Sequence, residues 1–463
     1  MSIIIPANSA AGGGFTAANS LMFNSADSAS LSRTMGTSTS ELKHTCSMWF
    51  KRSKLSSEQF VWMNREDGSN RTYFRFNATD TISFQNDGGS SVNLQTTQKF
   101  RDVGAWYNIV IAIDTTQATS SNRVKIYING VQITSFIDEV YPAEDAVFSF
   151  NNVCSIGNNG DGALYFGGYI AETVIIDGTQ NAPTDFGEFD EDSGIWKPKS
   201  VSGLTFGNNG FYLDFQDSSA LGNDAVGSNN FTANNLAATD QGIDTCTNNF
   251  CTMNPLDNYY SAATFSSGNN TVATAAAPVN WVASTFQVNK GKWYAECKPT
   301  AGTGSGLIGF AGSTSKNSTQ ILETAGFFGG NYVNNGEYFF NGSGGAYAAA
   351  FSNGNIISVY LDLDNNFVYF AKNGTLQNSG DPTSGGTGTG GKAITAAASV
   401  TNGGYAFACG DGNTATRTFD WNFGSPYYAI SSGNADGNGY GNFEYAVPSG
   451  YFALCTKNLA EYG

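Results

Sequence analysis

The chain has 463 residues, of which 40% are hydrophobic, 14% aromatic and only 13% charged. So many aromatic side chains exclude a largely disordered chain, and the length exceeds what one hydrophobic core usually supports, so we expect two domains. The formal net charge of −16 would repel phosphates, which argues against a nucleic-acid partner. The apolar runs are much shorter than the roughly 20 residues of a membrane span, so we expect no membrane insertion.

Residues 1–19 are small and polar apart from a short apolar run near the start. We therefore expect them to form an extended N-terminal segment. The apolar run also lacks the basic start and the length of a secretory signal. The seven cysteines are widely scattered, and we interpret most of them as small buried hydrophobic side chains. Both observations are consistent with synthesis in a reducing cytoplasm.

From residue 20 onwards, short apolar segments alternate with clusters of Gly, Asn, Asp and Ser. A spacing of roughly ten residues between such segments is typical of an antiparallel β-sandwich. One pair of segments ends in Asn129-Gly130, which favours a tight hairpin because both residues tolerate a positive φ. No stretch keeps a helical apolar period over ten residues. The sequence therefore predicts a first β-sandwich over residues 20–221, with very little helix.

Residues 222–262 are rich in Asn, Ala and Thr and carry few strand signals, so we expect an irregular connector. Strand signals resume at residue 263. Between residues 355 and 376 apolar and polar residues alternate, as in a sheet with one buried face, and Asn373-Gly374 marks a second hairpin. We predict a second sandwich over residues 263–463, and hence an all-β protein of two antiparallel jelly-roll domains.

Both predicted sandwiches contain segments that resemble known modules. The first half is similar to the concanavalin A-like, laminin G-type jelly roll in residues 46–52 (CSMWFKR), 106–111 (WYNIVI), 124–130 (VKIYING) and 168–172 (GYIAE). The second half resembles a SPRY-like (B30.2-type) sandwich in residues 291–296 (GKWYAE), 370–374 (FAKNG) and 448–454 (PSGYFAL). The whole arrangement resembles the tail-fibre-like structural proteins of tailed, notably marine, bacteriophages.

This resemblance implies a non-enzymatic virion protein that is made in the host cytoplasm and acts in a tail fibre or in host recognition. Its implied partners are other virion proteins and host-surface glycans, and we expect a homo-oligomer. Two alternatives remain open: a head or capsid decoration protein with the same modules, and a polysaccharide-acting enzyme or its carbohydrate-binding portion.

An enzyme of the concanavalin A-like class would place acidic residues in phase on one strand, with two carboxyl groups about 5 Å apart in a retaining enzyme. The nearest match begins at Glu188 and Asp190, but the third residue in phase is Asp192 rather than Glu. Turn-forming residues flank this segment, so we expect a solvated acidic loop and no strand. His44 is the only histidine; no nucleophile motif lies near it, and we interpret it as a surface residue. We therefore predict no catalytic residues.

Residues 329–341 combine aromatic rings with Asn and Gly, the composition of many sugar-binding loops. The candidate ligand-binding residues are Tyr332, Asn334, Asn335 and Asn341. The alternative interpretation is an ordinary loop whose aromatic rings pack inward.

We expect no cofactor and assign no metal-ligating residues. The carboxylates of Asp362, Asp364 and Asp161 could supply oxygen ligands to Ca²⁺, which takes six to eight of them. Asp is also common in β-turns for purely structural reasons.

Overall fold

The computed structural model describes residues 14–88, 91–148, 150–259, 262–276, 280–312, 325–326, 328–412 and 415–463. Residues 1–13 of the predicted N-terminal segment lie outside the described residues. The chain forms two compact units, one ending at Asn249 and one whose main part begins at Phe250. Residues 222–249 of the predicted connector belong to the first unit, and residues from 250 onwards belong to the second.

The described part of the first unit contains eighteen strands. In chain order, β1–β18 are Ser20–Phe23, Ser30–Thr34, Lys43–Arg52, Gln59–Arg65, Arg71–Phe76, Thr81–Asp87, Val92–Lys99, Trp106–Asp114, Val124–Ile128, Val131–Gln132, Phe136–Val140, Val153–Ile156, Gly168–Asp177, Gly187–Phe189, Trp196–Pro198, Phe211–Leu213, Thr232–Asn234 and Gln241–Gly242. Short 3-10 turns lie at Ser120–Asn122, Pro183–Asp185 and Ala238–Asp240.

Two antiparallel sheets build this unit. Sheet I has the order β10-β9-β8-β3-β13-β1-β18, with β16 beside β13, and sheet II has the order β11-β7-β6-β5-β4-β12-β2-β17. Strand β8 shows why the two sheets pack: Ile109, Ile111 and Ile113 point into the shared core, whereas Val110 lies on the other side of sheet I. Side chains alternate across a strand, so one apolar row per strand suffices to bury one face of each sheet.

The second unit is also built from strands. In chain order, β19–β34 are Met253–Tyr259, Thr264–Ser266, Thr271–Ala273, Asn280–Ser284, Lys292–Gly302, Gly306–Ala311, Gly330–Val333, Glu337–Phe340, Ser343–Ala346, Ile357–Asp362, Phe367–Lys372, Thr375–Leu376, Lys392–Ala393, Ala406–Asp411, Arg417–Asn422 and Phe452–Ala453. Turns of 3-10 type lie at Ser267–Asn269, Gly385–Thr387 and Ala397–Ser399, and helix α1 spans Thr456–Tyr462.

Sheet III of this unit has the order β19-β22-β32-β24-β25-β26-β27. Sheet IV has the order β20-β21-β33-β23-β28-β29-β30, with β31 beside β29 and β34 beside β23. The predicted meander at residues 355–376 is β28-β29-β30, and its second turn has φ of +47° at Asn373 and +74° at Gly374. Together the four sheets confirm the predicted all-β fold with very little helix.

All seven cysteines are buried. This confirms their interpretation as small hydrophobic side chains of the interior.

Candidate functional site

One side of sheet II packs on the core and the other faces outward. Phe74, Phe84 and Leu94 belong to the core, so the residues that alternate with them lie on the outer side. The outer side of β5, β6 and β7 carries a set of half-buried polar side chains around the buried ring of Tyr73. We call this set the polar face: Arg71, Tyr73, Arg75, Gln85, Asp87, Asn93 and Gln95.

The strand register arranges the polar face in rows. Tyr73 lies opposite Gln85, which lies opposite Asn93. The Tyr73 hydroxyl donates to Oε1 of Gln85 at 2.7 Å, and Nε2 of Gln85 donates to Oδ1 of Asn93 at 2.9 Å. This chain of hydrogen bonds fixes which end of each amide carries the donor, so the row presents an ordered pattern of donors and acceptors.

Two arginines flank this row. Nη2 of Arg71 lies 2.5 Å from Oδ2 of Asp87, and its guanidinium carbon lies 5.6 Å from the centre of the Tyr73 ring. Arg75 pairs with Glu58 and lies 5.7 Å from the same ring. Both arginines are partly exposed, so each offers planar N–H donors at the surface while the aromatic ring and the carboxylate hold it in place.

The phenol of Tyr73 remains protonated. Burial, with a further contribution from the charge of Asp87, raises its pKa to about 12. Tyr73 is therefore a hydrogen-bond donor at neutral pH, which maintains the orientation of the amide of Gln85.

The expectation of a loop at the acidic segment was wrong. Glu188 lies in strand β14, which pairs with β15 as a separate hairpin. Nζ of Lys197 lies 3.5 Å from Glu188 Oε1 and 3.2 Å from Asp190 Oδ2. Hydrogen bonds from Ser193, together with Lys197, lower the pKa of Asp190 to about 2. Because Asp190 is ionised at neutral pH, it cannot act as the general acid that glycoside hydrolysis requires.

The interpretation of His44 as a surface residue was also wrong. Its side chain is 1% exposed and stacks on Phe150, with the ring centres 3.4 Å apart. Its Nδ1 lies 3.7 Å from Oδ1 of Asp177. Burial lowers the pKa of His44 to about 3 in spite of the opposing effect of Asp177. His44 is therefore a neutral packing residue at neutral pH.

Replacement of His44 by leucine is expected to make the first unit less sensitive to acid. The unfolded chain takes up a proton below pH 6.5, whereas folded His44 takes one up only near pH 3. Folding stability from this group is therefore lost as the pH falls through this window. Between pH 7.5 and pH 4.5 the wild type should lose about 2.7 kcal/mol more stability than the variant. Urea titrations of both proteins at the two pH values measure this; equal losses would contradict the assignment.

The candidate ligand-binding residues of the second unit have mainly structural contacts. Tyr332 is completely buried in β25 and donates its hydroxyl hydrogen bond to the carbonyl of Ala349, so its ring is not an exposed platform. Asn334 and Asn341 are half-buried, and their Oδ1 atoms accept main-chain N–H groups. Asn335 is exposed, and its Nδ2 donates to Glu337. A binding role for these residues remains a prediction.

The aspartates considered for calcium have other partners. Asp362 is fully buried with Oδ2 3.0 Å from Nζ of Lys292, Asp364 accepts a main-chain N–H, and Asp161 pairs with Arg65. Among the described residues, no group of three or more His, Cys, Asp or Glu side chains could hold a metal ion. In that same part of the chain, no helix is long and apolar enough to span a membrane.

The first unit is thus a two-sheet antiparallel jelly roll with a polar outer face on sheet II. The family profile of the concanavalin A-like lectin/glucanases superfamily matches residues 23–183. This match covers about a third of the chain and agrees with the resemblance of residues 46–172 to that superfamily.

The chain is also similar to several solved structures at low identity. A candidate carbohydrate-binding protein of Bacteroides ovatus is 14% identical with a TM-score of 0.32, over 47% of this chain and 58% of that protein. The SPRY domain of human HERC1 is 12% identical with a TM-score of 0.28, over 36% of this chain and 96% of that domain. Domain 4 of an arabinanase from Geobacillus stearothermophilus, solved with arabinotriose, is 20% identical with a TM-score of 0.25, over 31% and 64%. None of the curated proteins matches the chain significantly.

Proposed function

We propose that the polar face of sheet II binds glycans, and that the protein is a non-enzymatic recognition component of a virion, in a tail fibre or a similar host-binding structure. The observation that carries the proposal is the ordered row from Tyr73 through Gln85 to Asn93. Sugar hydroxyls both donate and accept hydrogen bonds, and a row of oriented amides can satisfy both requirements.

The surroundings of the row support the same function. Arg71 and Arg75 lie beside it with their guanidinium groups held in place, so they lose little further freedom when a ligand binds. Each arginine is already paired with a carboxylate, so a neutral ligand suits this face better than a strongly charged one. The match to a superfamily that includes lectins is consistent with this choice.

A single shallow face of this kind binds weakly, because few hydrogen bonds are gained beyond those lost to water. Several copies on one particle would raise the apparent affinity by avidity. We further propose that the protein is a homo-oligomer in the virion, in contact with other virion proteins, synthesised in the host cytoplasm and without a cofactor. Immunogold labelling of intact particles would distinguish a tail from a head location.

Binding of the purified protein to a panel of neutral bacterial surface glycans, followed by calorimetry on the best ligand, tests the glycan site. Replacing both Gln85 and Asn93 by alanine should weaken binding at least about tenfold, which corresponds to about 1.4 kcal/mol. Asn335→Ala in the second unit is the matched control and should bind like the wild type. Loss of binding in the control alone would place the site in residues 329–341 instead and overturn the assignment to sheet II.

The non-enzymatic part of the proposal has a separate test. Incubation of the protein with the glycan that it binds should release no reducing ends. Release by the wild type and its absence in Glu188→Gln would show that the acidic hairpin is catalytic.

A further inference from the structure

A lysine is completely enclosed at the outer side of sheet I. Lys51, near the end of β3, is 0% exposed, and among the lysines that the structure describes it alone is buried. Its Nζ lies 2.8 Å from Oδ2 of Asp244 and 2.7 Å from Oδ1 of Asn249. Asp244 and Asn249 are themselves only 1% exposed. An amine, a carboxylate and a carboxamide therefore meet in one site that excludes water.

The neighbouring groups hold each member of this site in a fixed position. Nε1 of Trp106 donates to Oδ1 of Asp244 at 3.1 Å, which leaves Oδ2 directed at Lys51. Nδ2 of Asn249 donates to the carbonyl of Gly104 at 2.5 Å, so the amide presents its carbonyl side to Nζ. The ring of Tyr169 lies 5.4 Å from Nζ. Reacting groups that are already oriented and within hydrogen-bond distance lose most of the entropic barrier to reaction.

The nucleophilic form of lysine is the neutral amine, so the reaction needs a group that takes a proton from Nζ. Oδ2 of Asp244 lies 2.8 Å from Nζ and is placed to accept it. The carbonyl carbon next to this amine is that of Asn249.

We propose that Lys51 and Asn249 join in an intramolecular isopeptide bond, with Asp244 as the proton carrier. Nζ attacks Cγ of Asn249, a C–N bond forms, and the bond from Cγ to Nδ2 breaks. Two of the three Nζ protons pass through Asp244 to Nδ2, which leaves as ammonium, while Nζ keeps the third as an amide N–H. Asp244 ends as a carboxylate that accepts this N–H. Atoms and charge balance without an oxidant or any other reactant.

The position of this bond gives it a mechanical consequence. It would link residues 198 positions apart, and Asn249 is the residue at which the first unit ends. Tension applied to the chain beyond Asn249 would then act directly on β3 in the middle of sheet I. The terminal strand β18 could not be peeled away by such tension. For a recognition protein exposed to shear, a covalent closure at this point keeps the sandwich folded.

The denatured full-length protein should weigh about 17 Da less than its sequence mass, because one ammonia is lost. Tandem mass spectrometry of a protease digest should find a branched peptide joined through Lys51 and Asn249. On a denaturing gel the wild type should migrate ahead of Lys51→Arg, because the linked chain contains a closed loop. The full sequence mass in the folded wild type would overturn the proposal.

Variants separate this reaction from other losses of ammonia. Lys51→Arg keeps the charge but lacks the nucleophilic amine, and it should have its full sequence mass. Asp244→Asn should lower the cross-linked fraction at least tenfold, and Lys292→Arg, a paired lysine of the second unit, should leave it unchanged. A loss of about 17 Da that persists in Lys51→Arg would instead indicate ring closure of an asparagine with its own backbone and would refute the bond. If Asp244→Asn fails to fold, the presence or absence of the branched peptide in the wild-type digest still tests whether the bond forms.

Discussion

Replacement of Asp80 by alanine is expected to lower the free energy of unfolding of the first unit by about 3–5 kcal/mol. Asp80 is 0% exposed and accepts hydrogen bonds from Arg52 Nη1 at 3.1 Å, Arg101 Nε at 2.8 Å and the N–H of Ser56 at 2.7 Å. Arg52 is equally buried, and its guanidinium carbon lies 4.1 Å from the centre of the Phe76 ring. Removal of Asp80 leaves this cation enclosed without its carboxylate, and the cost comes from that unpaired charge.

The backbone conformation at Asp80 adds to the stability that Asp80→Ala is expected to lose. Its φ is +65°, a conformation that Asn and Asp tolerate better than Ala. Asp80→Asn should therefore lose less stability than Asp80→Ala, because it keeps the backbone preference and one hydrogen-bond acceptor. Glu144→Ala removes an exposed partner of Arg123 and is the matched control, with an expected loss below about 1 kcal/mol. Hydrogen exchange of peptides from the first unit measures all three; a loss for Asp80→Ala no larger than that of the control would contradict the assignment.

Replacement of Glu172 by glutamine is expected to stabilise the first unit at pH 8 and to reduce its sensitivity to pH. Glu172 lies in a bulge of β13 between Ala171 and Val174 and has φ of +48°. Its side chain is 6% exposed, and Tyr212 donates to its Oε2 at 2.5 Å. Burial raises the pKa of Glu172 to about 8, although the hydrogen bond from Tyr212 opposes this shift.

The direction of the pH effect follows from this raised pKa. Between about pH 4.5 and pH 8 the folded protein keeps a proton on Glu172 that the unfolded chain releases. The stability contributed by this group is therefore present below pH 4.5 and is lost as the pH rises towards 8. Glutamine has no proton to lose, so between pH 5 and pH 8 the stability of the variant relative to the wild type should rise by about 3.5 kcal/mol.

Urea titrations of both proteins across this range measure the difference. Tyr212→Phe is the opposite control: it removes the donor that favours the ionised carboxylate, so it should steepen the loss of stability with pH. Parallel stability curves for the wild type and Glu172→Gln would show that Glu172 does not titrate in this window.

Local patterns were sufficient to predict the strands and their turns. The alternation in β8 and β28 and the two Asn-Gly pairs are properties of neighbouring residues, and the structure has positive φ at Asn129, Gly130, Asn373 and Gly374. Part of the polar face could also have been predicted from the sequence. Arg71, Tyr73 and Arg75 are spaced two residues apart, so they share one side of a strand. These residues were not predicted as candidates, because their ordered partners lie on other strands, β6 and β7.

Other features depended on which segment covers a given face. His44 resembles a surface residue at the entry to a strand, but Phe150 lies against its ring. The residues around Tyr332 have the composition of a sugar-binding loop, yet its ring is buried in the protein interior. The acidic segment forms a hairpin because Gly187–Phe189 pairs with the later segment Trp196–Pro198.

The all-β class could be predicted from residue order alone, because alternation and turn residues act over a few positions. Which polar groups meet depends on the folded chain. Lys51 and Asn249 lie 198 positions apart, and no local pattern indicates that the end of the first unit returns to cover β3. Periodicity tells which residues share a face of a strand, whereas burial, ionisation and reactivity depend on the distant segment that excludes water from that face.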